Sequence, residues 1–282
     1  MSECDTLLAL LFLVAVIACT YLGKTLQTFT TEFFKSLYKD RSTSALVAAM
    51  FGTYALSGLV WILSKVRFPG LELSVTYTLN ERVGFVVRAA YWKARVDKLG
   101  RNVMIDVGVH IVGPQFVYID DNTWLDKNVI LIAGEVAKRG QKFVTKANLS
   151  YGGRRGELRI GKFCHLAPNV VVQAHGGVEI GDYCGLASGA KIYSLSHHYR
   201  GSEEDKFLYR FTPMAPPNEQ CLIEGAVVLA GNNAIGLNSV VLPGVTIGKN
   251  SWVGVCSYVA NDVPENVIAL GNPARVVKER KT

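Results

Sequence analysis

A six-residue repeat is the feature of this sequence that most restricts its fold. Between residues 223 and 263, branched aliphatic residues recur at every sixth position: Ile223, Leu229, Ile235, Val241, Ile247, Val253 and Val259. A period of six matches neither the 3.6 of an α-helix nor the two of an amphipathic strand. It matches a parallel β-solenoid, in which each hexad forms one short flat face and one corner. The sequence therefore predicts a mainly β prism with the aliphatic side chains inside.

The repeat extends over most of the chain, with interruptions. Hexads begin near Val103, and their phase slips twice by two residues. Two segments, residues 134–158 and 198–222, break the pattern altogether. Because each coil of a solenoid contacts only its neighbours, insertions are tolerated and collect where binding occurs. We therefore predict one solenoid domain over residues 103–282, from which these two segments project as loops.

Two uncharged apolar runs precede the solenoid. The run from Thr6 to Gly23 is just long enough to cross a bilayer. The run over residues 42–64 carries Trp61 near its end and is followed by basic residues, as at a membrane interface. The chain starts with the acidic MSECD, whereas a signal peptide needs positive charge, so we expect no cleavage. Residues 1–70 are predicted to be a membrane-associated helical region.

The distribution of basic residues predicts an orientation. More of them follow the second run than lie between the two runs, which places the solenoid on the cytoplasmic side of an inner membrane. The basic residues between the runs conflict with two spanning helices. A first run lying along the interface would remove that conflict, and the sequence leaves both arrangements open. The six cysteines form no CxxC pair and suit a reducing compartment.

The next segment, residues 71–102, is predicted to be helical. Within it, residues 80–98 set apolar positions opposite basic ones, which is typical of an amphipathic helix. Such a helix lies on a membrane surface or caps the end of a solenoid, and both alternatives remain open. The net charge of +7 suits anionic lipid, phosphorylated small molecules or nucleic acid. No recognisable module interleaves the basic residues with stacking aromatics, so we predict no nucleic-acid partner.

The end of the chain carries the most specific pattern. Residues 241–279, VLPGVTIGKNSWVGVCSYVANDVPENVIALGNPARVVKE, resemble the closing coils of hexapeptide-repeat acyltransferases, the O-acetyltransferases of the galactoside, maltose and polysaccharide-modifying type. The similarity covers about Leu99 to Arg280 and is tightest after Leu186. It implies a left-handed parallel β-helix, an exception to the right-handed crossover rule. It also implies a homotrimer with active sites between subunits, acetyl-CoA as acyl donor and no metal.

The resemblance assigns a general base. In this family a histidine at the end of a hexad, just before the long loop, takes the proton from the acceptor hydroxyl. In LASGAKIYSLSHHYR the matching residue is His197, with His198 as second choice. Histidine suits the role because its ordinary pKa is near neutrality. Relatives bind the acceptor through carboxylates or amides from the region around His175, but the matching position carries no Asp here, which leaves Asn169 and His175 as candidates.

The resemblance also assigns a coenzyme A site to the last coils. The matching residues are Gly231, Gly254, Ser257, Ala260, Asn261, Arg275 and Lys278. The two basic side chains are expected to pair with the phosphates. Two departures from the family pattern fall at the expected active site, Val228 in place of an aromatic residue and Gly231 in place of a small hydroxyl residue. A backbone N–H near Gly231 is expected to stabilise the thioester oxyanion.

Together these features predict a membrane-associated, acetyl-CoA-dependent O-acetyltransferase. Its acceptor is predicted to be a saccharide hydroxyl on a lipid-linked glycan or a surface-polysaccharide precursor, with membrane lipid as a further partner. One alternative is a metal hydratase like the γ-carbonic anhydrases, which needs a His-x₄-His spacing that this sequence lacks. The other is a non-catalytic trimeric scaffold, against which His197 and the C-terminal basic pair argue.

Overall fold

The structure is a computed structural model that describes residues 43–65, 70–77, 81–198 and 209–280. The chain divides into two compact units. The first comprises Met1–Arg95 with Met104–Val109, and the second comprises Val96–Val103 with His110–Thr282. The apolar run Thr6–Gly23 lies outside the described residues, so its predicted place in a membrane stays a prediction.

The described part of the first unit is helical apart from one short strand. It contains α1 (Thr43–Lys65), α2 (Leu71–Tyr77), α3 (Glu81–Lys93) and β2 (Met104–Ile105). Val87, Tyr91 and Trp92 of α3 are buried. The buried Arg88 donates from Nε to the carbonyl oxygen of Ile105 at 2.7 Å. Burial lowers the pKa of Arg88 to about 10, against the opposing influence of Asp106.

The second predicted membrane run coincides with α1. Across residues 43–65, 70–77, 81–198 and 209–280, no helix combines the length and the apolar character needed to cross a membrane. Several large apolar side chains of α1 are nevertheless exposed: Phe51, Tyr54, Leu59, Trp61 and Ile62.

The second unit is the predicted solenoid. Its strands form the three faces of a prism, named A, B and C. Each face is a sheet with one strand per coil, and neighbouring coils pair in parallel. Face A contains β1 (Lys98–Leu99), β4 (Val117–Ile119), β8 (Leu158–Ile160), β11 (Val178–Ile180), β16 (Val227–Leu229) and β19 (Thr246–Ile247). Face C contains β3 (His110–Val112), β6 (Ile130–Ile132), β10 (Val171–Gln173), β13 (Lys191–Tyr193), β18 (Val240–Val241) and β21 (Tyr258–Val259).

Face B is the third side of the prism, and at its end the chain reverses direction between the last two strands. Within the second unit it contains β5 (Trp124–Leu125), β9 (His165–Leu166), β12 (Gly185–Leu186), β17 (Ala234–Ile235), β20 (Trp252–Val253), β22 (Val267–Leu270) and β23 (Arg275–Glu279). β23 runs antiparallel to β22. A fourth, smaller sheet comprises β14 (Leu195–His197), β15 (Cys221–Glu224) and β7 (Lys142–Thr145).

The hexad aliphatics form the core, which confirms the predicted β-solenoid. Leu229, Ile235, Val241, Ile247, Val253 and Val259 are all buried. Neighbouring coils pair in exact order, with Val178 opposite Val227 and Ile180 opposite Leu229. Ile223 is the exception in the predicted series. It belongs to β15 of the small sheet, opposite Ser196, because the inserted segment returns to the prism only at Val227.

The three corners of the prism differ. The AB corner, where each face A strand leads to face B, carries one non-glycine residue of left-handed φ per coil, and the BC corner carries one residue of left-handed φ, glycine or not, in each coil. At the CA corner, where face C leads to the next face A, successive core aliphatics are eight residues apart in the first and third coils (Ile111 to Ile119, Val172 to Ile180) and six apart in the fifth (Val241 to Ile247). Both long insertions also leave from the CA corner, after β6 and β13. The irregularities of the repeat are therefore concentrated along this edge.

Candidate functional site

The small sheet at the CA corner positions the candidate base. β14 leaves the fourth coil and pairs antiparallel with β15, so that Leu195 lies opposite Glu224 and His197 opposite Leu222. β15 pairs in parallel with β7, which belongs to the first insertion. The two insertions thus meet in one sheet, and His197 ends the strand at its edge.

His197 is half-buried, and one of its ring nitrogens is enclosed. Its Nδ1 is buried and has no hydrogen-bond partner in the part of the chain that the structure describes. The next residue is held through its backbone, since the N–H of His198 donates to the Cys221 carbonyl at 2.9 Å. A buried polar atom without a partner is costly and is seldom retained without a reason. This arrangement suits an imidazole that exchanges a proton at its other nitrogen.

His175 lies at the same corner, one coil earlier than His197. Its Nδ1 lies 2.7 Å from the carbonyl oxygen of Gly134. A carbonyl only accepts, so Nδ1 carries the hydrogen and donates, which leaves Nε2 as an acceptor. The predicted position of His175 near the base is consistent with this geometry.

Asn169 is not at the same corner. It occupies the BC corner with a left-handed φ of 62°, and its backbone N–H donates to the Lys127 carbonyl at 3.0 Å. Asparagine is tolerated in this conformation better than most residues. The structure therefore gives Asn169 a turn-forming role and separates it from His175 by the width of face C.

Arg155 ties the two insertions together. Its Nε and Nη2 donate to the two carboxylate oxygens of Glu224 at 2.6 and 2.7 Å, and Nη1 donates to Glu135 at 2.7 Å. Nη2 also reaches the Val136 carbonyl at 3.3 Å. The hydrogen bonds with Glu224 are the main cause that raises the pKa of Arg155. A bidentate fork of this kind fixes both position and orientation, so Arg155 holds the end of β15 against the first insertion.

The first insertion also packs closely along the CA corner. A Cβ at Gly244, whose φ is +82°, would lie 2.6 Å from the Cβ of Lys146. A Cβ at Gly177, whose φ is +101°, would lie 2.6 Å from the ring of Tyr151. Asn148 donates to the Ala226 carbonyl at 2.9 Å. Glycine at these positions lets the insertion lie directly on the backbone of the prism.

The surroundings of Val228 are consistent with a small residue at the position where relatives carry an aromatic one. Val228 is buried on face A, between Glu179 and Thr246 in the strand register. Thr246 in turn contacts Asn148 of the insertion, with Oγ1 3.1 Å from Oδ1. An aromatic side chain at residue 228 would have to displace this packing.

Three of the candidate coenzyme A residues meet at the BC corner. A Cβ at Gly254 would lie 2.6 Å from the Cβ of Leu270. The hydroxyl of Ser257 accepts from the Gly271 N–H at 3.1 Å, and Arg275 pairs with Leu270 in the strand register. Sequence reasoning missed a neighbouring feature, an apolar strip of exposed side chains on successive coils at this corner: Leu237, Val255 and Leu270.

The remaining candidates lie elsewhere. Ala260 and Asn261 follow β21 and lie at the CA corner, whereas Lys278 is opposite Ile268 on β23. Gly231 is at the AB corner, and its N–H donates to Asn233 Oδ1 at 2.9 Å. Because the Gly231 N–H is already used inside the corner, it is not free to stabilise an oxyanion, and an oxyanion donor near Gly231 stays a prediction.

Arg155 and Glu224 were also missed at the sequence level. The available signal was Glu224, an acidic residue within the apolar stretch CLIEGAVVL. No cluster of three or more His, Cys, Asp or Glu side chains that could hold a metal ion occurs within the described ranges.

Comparison with known proteins places this geometry in context. No family model matches the chain. A dTDP-4-amino-4,6-dideoxy-D-glucose acyltransferase of Escherichia coli is 26% identical over 182 residues, which cover 64% of this chain and 81% of that protein. The galactoside O-acetyltransferase of E. coli K12 is 28% identical over 170 residues, 60% of this chain and 66% of that protein. The relatives of the present chain are hexapeptide-repeat acyltransferases.

The protein is accordingly an enzyme of the acyltransferase class. Solved structures agree on the fold. The N-acyltransferase AntD of Bacillus cereus, in complex with dTDP and 3-hydroxybutyryl-CoA, superposes with a TM-score of 0.54 at 24% identity. The match covers 67% of this acyltransferase and 86% of AntD.

Proposed function

We propose that this acyltransferase moves an acetyl group from acetyl-CoA to a saccharide hydroxyl, with His197 as the general base. The observation that carries the proposal is the position of His197. It ends a strand at the corner where both insertions meet, with one ring nitrogen enclosed, and the N–H of the next residue, His198, donates to Cys221 of β15. Sequence relatives that act on sugars support the acceptor class.

The proposed reaction needs one proton carrier. Nε2 of His197 accepts the proton of the acceptor hydroxyl while that oxygen bonds to the thioester carbonyl carbon. The C–S bond then breaks, and the imidazolium returns its proton to the departing thiolate. Acetyl-CoA supplies the activated acyl group. A well-placed general base contributes about 10²–10⁴ in rate.

The BC corner suits coenzyme A. The exposed side chains of Leu237, Val255 and Leu270 offer an apolar path for the pantetheine arm, and Arg275 follows at the end of that path. A guanidinium is well matched to phosphate oxygens. Gly254 and Ser257 form the backbone of the same corner. Ala260, Asn261 and Lys278 remain predictions.

A homotrimer would complete the site. Within one chain, His197 at the CA corner and Arg275 at the BC corner lie on opposite edges of face C. A threefold arrangement can place the CA corner of one subunit beside the BC corner of the next. We also propose that the prism winds in a left-handed sense, which a crystal structure would test.

Mixed trimers test this assembly. His197→Ala and Arg275→Glu are each expected to be inactive alone. Co-expressed at equal levels, they should recover about one quarter of wild-type activity, because in that fraction of interfaces an intact His197 faces an intact Arg275. The mixed sample is compared with the two single variants combined after folding. No recovery in co-expressed trimers would contradict a shared site.

The protein is proposed to act at the cytoplasmic face of the inner membrane, on a lipid-linked glycan or a surface-polysaccharide precursor. The support is the exposed apolar side chains of α1, which suit an interfacial helix. Wild-type protein should float with vesicles of phosphatidylethanolamine and phosphatidylglycerol, and Phe51→Ser with Ile62→Ser should float less. Wild-type protein that stays at the bottom of the gradient would contradict membrane association.

Mass spectrometry of acetyl transfer tests the activity itself. Purified protein, labelled acetyl-CoA and a panel of neutral sugars, amino sugars and sugar nucleotides should yield a product heavier by one acetyl group. An ester is lost in mild base, whereas an amide persists. A base-stable product on an amino sugar would favour N-acylation over the proposed O-acetylation; the E. coli relative is named for an amino-sugar nucleotide acceptor, and AntD is an N-acyltransferase. Turnover of acetyl-CoA without any acylated sugar would contradict the proposal.

A further inference from the structure

The AB corner carries a column of asparagines that is interrupted by two aromatic residues. In coil order the residues of left-handed φ are Asn102, Asn122, Phe163, Tyr183, Asn232, Asn250 and Asn266. Neighbouring asparagines bond to one another, at 2.9 Å for Asn102 with Asn122 and at 3.0 Å for Asn232 with Asn250. Asparagine at this corner can therefore bond to the asparagine of the next coil. The third and fourth coils carry aromatic residues in its place.

The two aromatic residues are strained and exposed. Phe163 has φ 55° and Tyr183 has φ 60°, a conformation that is disfavoured for bulky side chains. Both rings are exposed, and they stack with a centroid distance of 5.0 Å and an interplanar angle of 6°. Strained residues that persist at a surface often mark a binding site. Here the strain presents a flat aromatic platform.

A depression on face B begins at the end of this platform. It has a volume of about 460 Å³ and is lined by residues that include Tyr183, Gly185, Ala234, Trp252 and Arg280. The depression forms because the outward positions of β12 and β17 carry only the small residues Gly185 and Ala234. A Cβ at Gly185 would meet nothing within 4 Å. The half-exposed ring of Trp252 on the next coil forms the opposite wall.

The spacing of the coils suits a third ring. Neighbouring strands of a sheet are about 4.8 Å apart, which is close to the stacking distance of aromatic rings. Above Tyr183 the column continues with the short side chain of Asn232, so a planar ligand placed there would extend the Phe163–Tyr183 stack by one step. Its other edge would face Trp252 across the depression.

Arg280 gives the depression its charge. Its Nη1 donates to the Asn250 carbonyl at 2.8 Å, and its backbone N–H donates to the Asn266 carbonyl at 2.7 Å. Within residues 81–198 and 209–280, no carboxylate pairs with this guanidinium. The remaining N–H groups of a guanidinium held in this way are suited to phosphate oxygens.

We propose that this depression, the AB notch, binds a nucleotide. The base stacks on Tyr183 and a phosphate pairs with Arg280. The notch is on a different corner from His197, and binding is measured directly. A failure of nucleotide binding is therefore distinguishable from a failure of the proposed acetyl transfer.

Calorimetric titration of the full-length protein with ADP and UDP tests the proposal. We expect saturable binding of at least one of them, and weaker binding of the uncharged adenosine or uridine. Tyr183→Asn restores the asparagine column, so it should keep or raise the melting temperature while weakening nucleotide affinity about tenfold. Phe163→Asn is the matched control, because it removes the same strain outside the lining and should weaken binding less.

Arg280→Gln separates the charge from the stack. It should weaken ADP or UDP affinity about tenfold and leave adenosine or uridine affinity unchanged. Competition with excess CoA identifies the source, since displacement would assign the site to the nucleotide part of CoA and no displacement to a separate nucleotide. The absence of saturable ADP and UDP binding would overturn the proposal. Wild-type affinity in Tyr183→Asn would do the same.

Discussion

Replacing His197 by alanine is expected to lower kcat for acetyl transfer by about 10²–10⁴. The variant loses the imidazole proposed to accept the acceptor proton, whereas acetyl-CoA would still bind at the proposed site on the BC corner. The KM for acetyl-CoA should therefore change little. The measurement is steady-state release of free CoA thiol in the presence of an acceptor identified by mass spectrometry.

Two controls show that the loss is specific to His197. His198→Ala changes the adjacent imidazole while retaining the backbone bond to Cys221, and it should lower kcat much less. His197→Gln fills a similar volume without a comparable base, so it should be as inactive as His197→Ala. A kcat within a few-fold of wild type in His197→Ala would exclude this residue as the base.

Breaking the Arg155–Glu224 pair should give the largest change in stability. Removing one partner of a fully buried pair costs about 3–5 kcal/mol. The Arg155 side chain is 24% exposed and that of Glu224 8%, which reduces the expectation for Arg155→Met to about 2–3 kcal/mol. Urea denaturation measures the free energy of unfolding. Because Arg155 holds β15 against the first insertion, hydrogen exchange should also rise in the paired strands, residues 142–145 and 221–224.

Arg101 is the matched control for the Arg155 experiment. It also pairs with a carboxylate, at 3.1 Å from Asp121, but its side chain is 92% exposed. Arg101→Met should therefore lower the free energy of unfolding far less than Arg155→Met. If the two variants had the same free energy of unfolding, the Arg155–Glu224 pair would contribute no more to stability than an exposed ion pair.

The sequence was enough to predict the frame of this molecule. The hexad period predicted the prism, because a core-facing residue every sixth position leaves few other arrangements. It could not show that Ile223 belongs to another sheet, since β15 happens to continue the same spacing. The sequence also could not show which of the candidate residues share a corner of the prism.

The site was predictable only in part. The histidine before the long insertion stood out in sequence, and the structure places it at the edge where both insertions converge. Arg155 and Glu224 are 69 residues apart, so no local pattern links them. The N–H of Gly231 is already donated to the side chain of Asn233, two residues on. Such competition for a donor is invisible without coordinates.

The asparagine column also shows how many residues each coil of the prism contains. The sequence separation between bonded corner residues falls from 20 for Asn102 and Asn122 to 18 for Asn232 and Asn250, and to 16 for Asn250 and Asn266. The buried side chains shrink in step: the second coil uses Ile119, Leu125 and Leu131, whereas the last part-coil uses Val263 and Ala269. The coils are therefore not interchangeable modules. A wide coil transplanted to the narrow end would bring more side-chain volume than its perimeter can enclose.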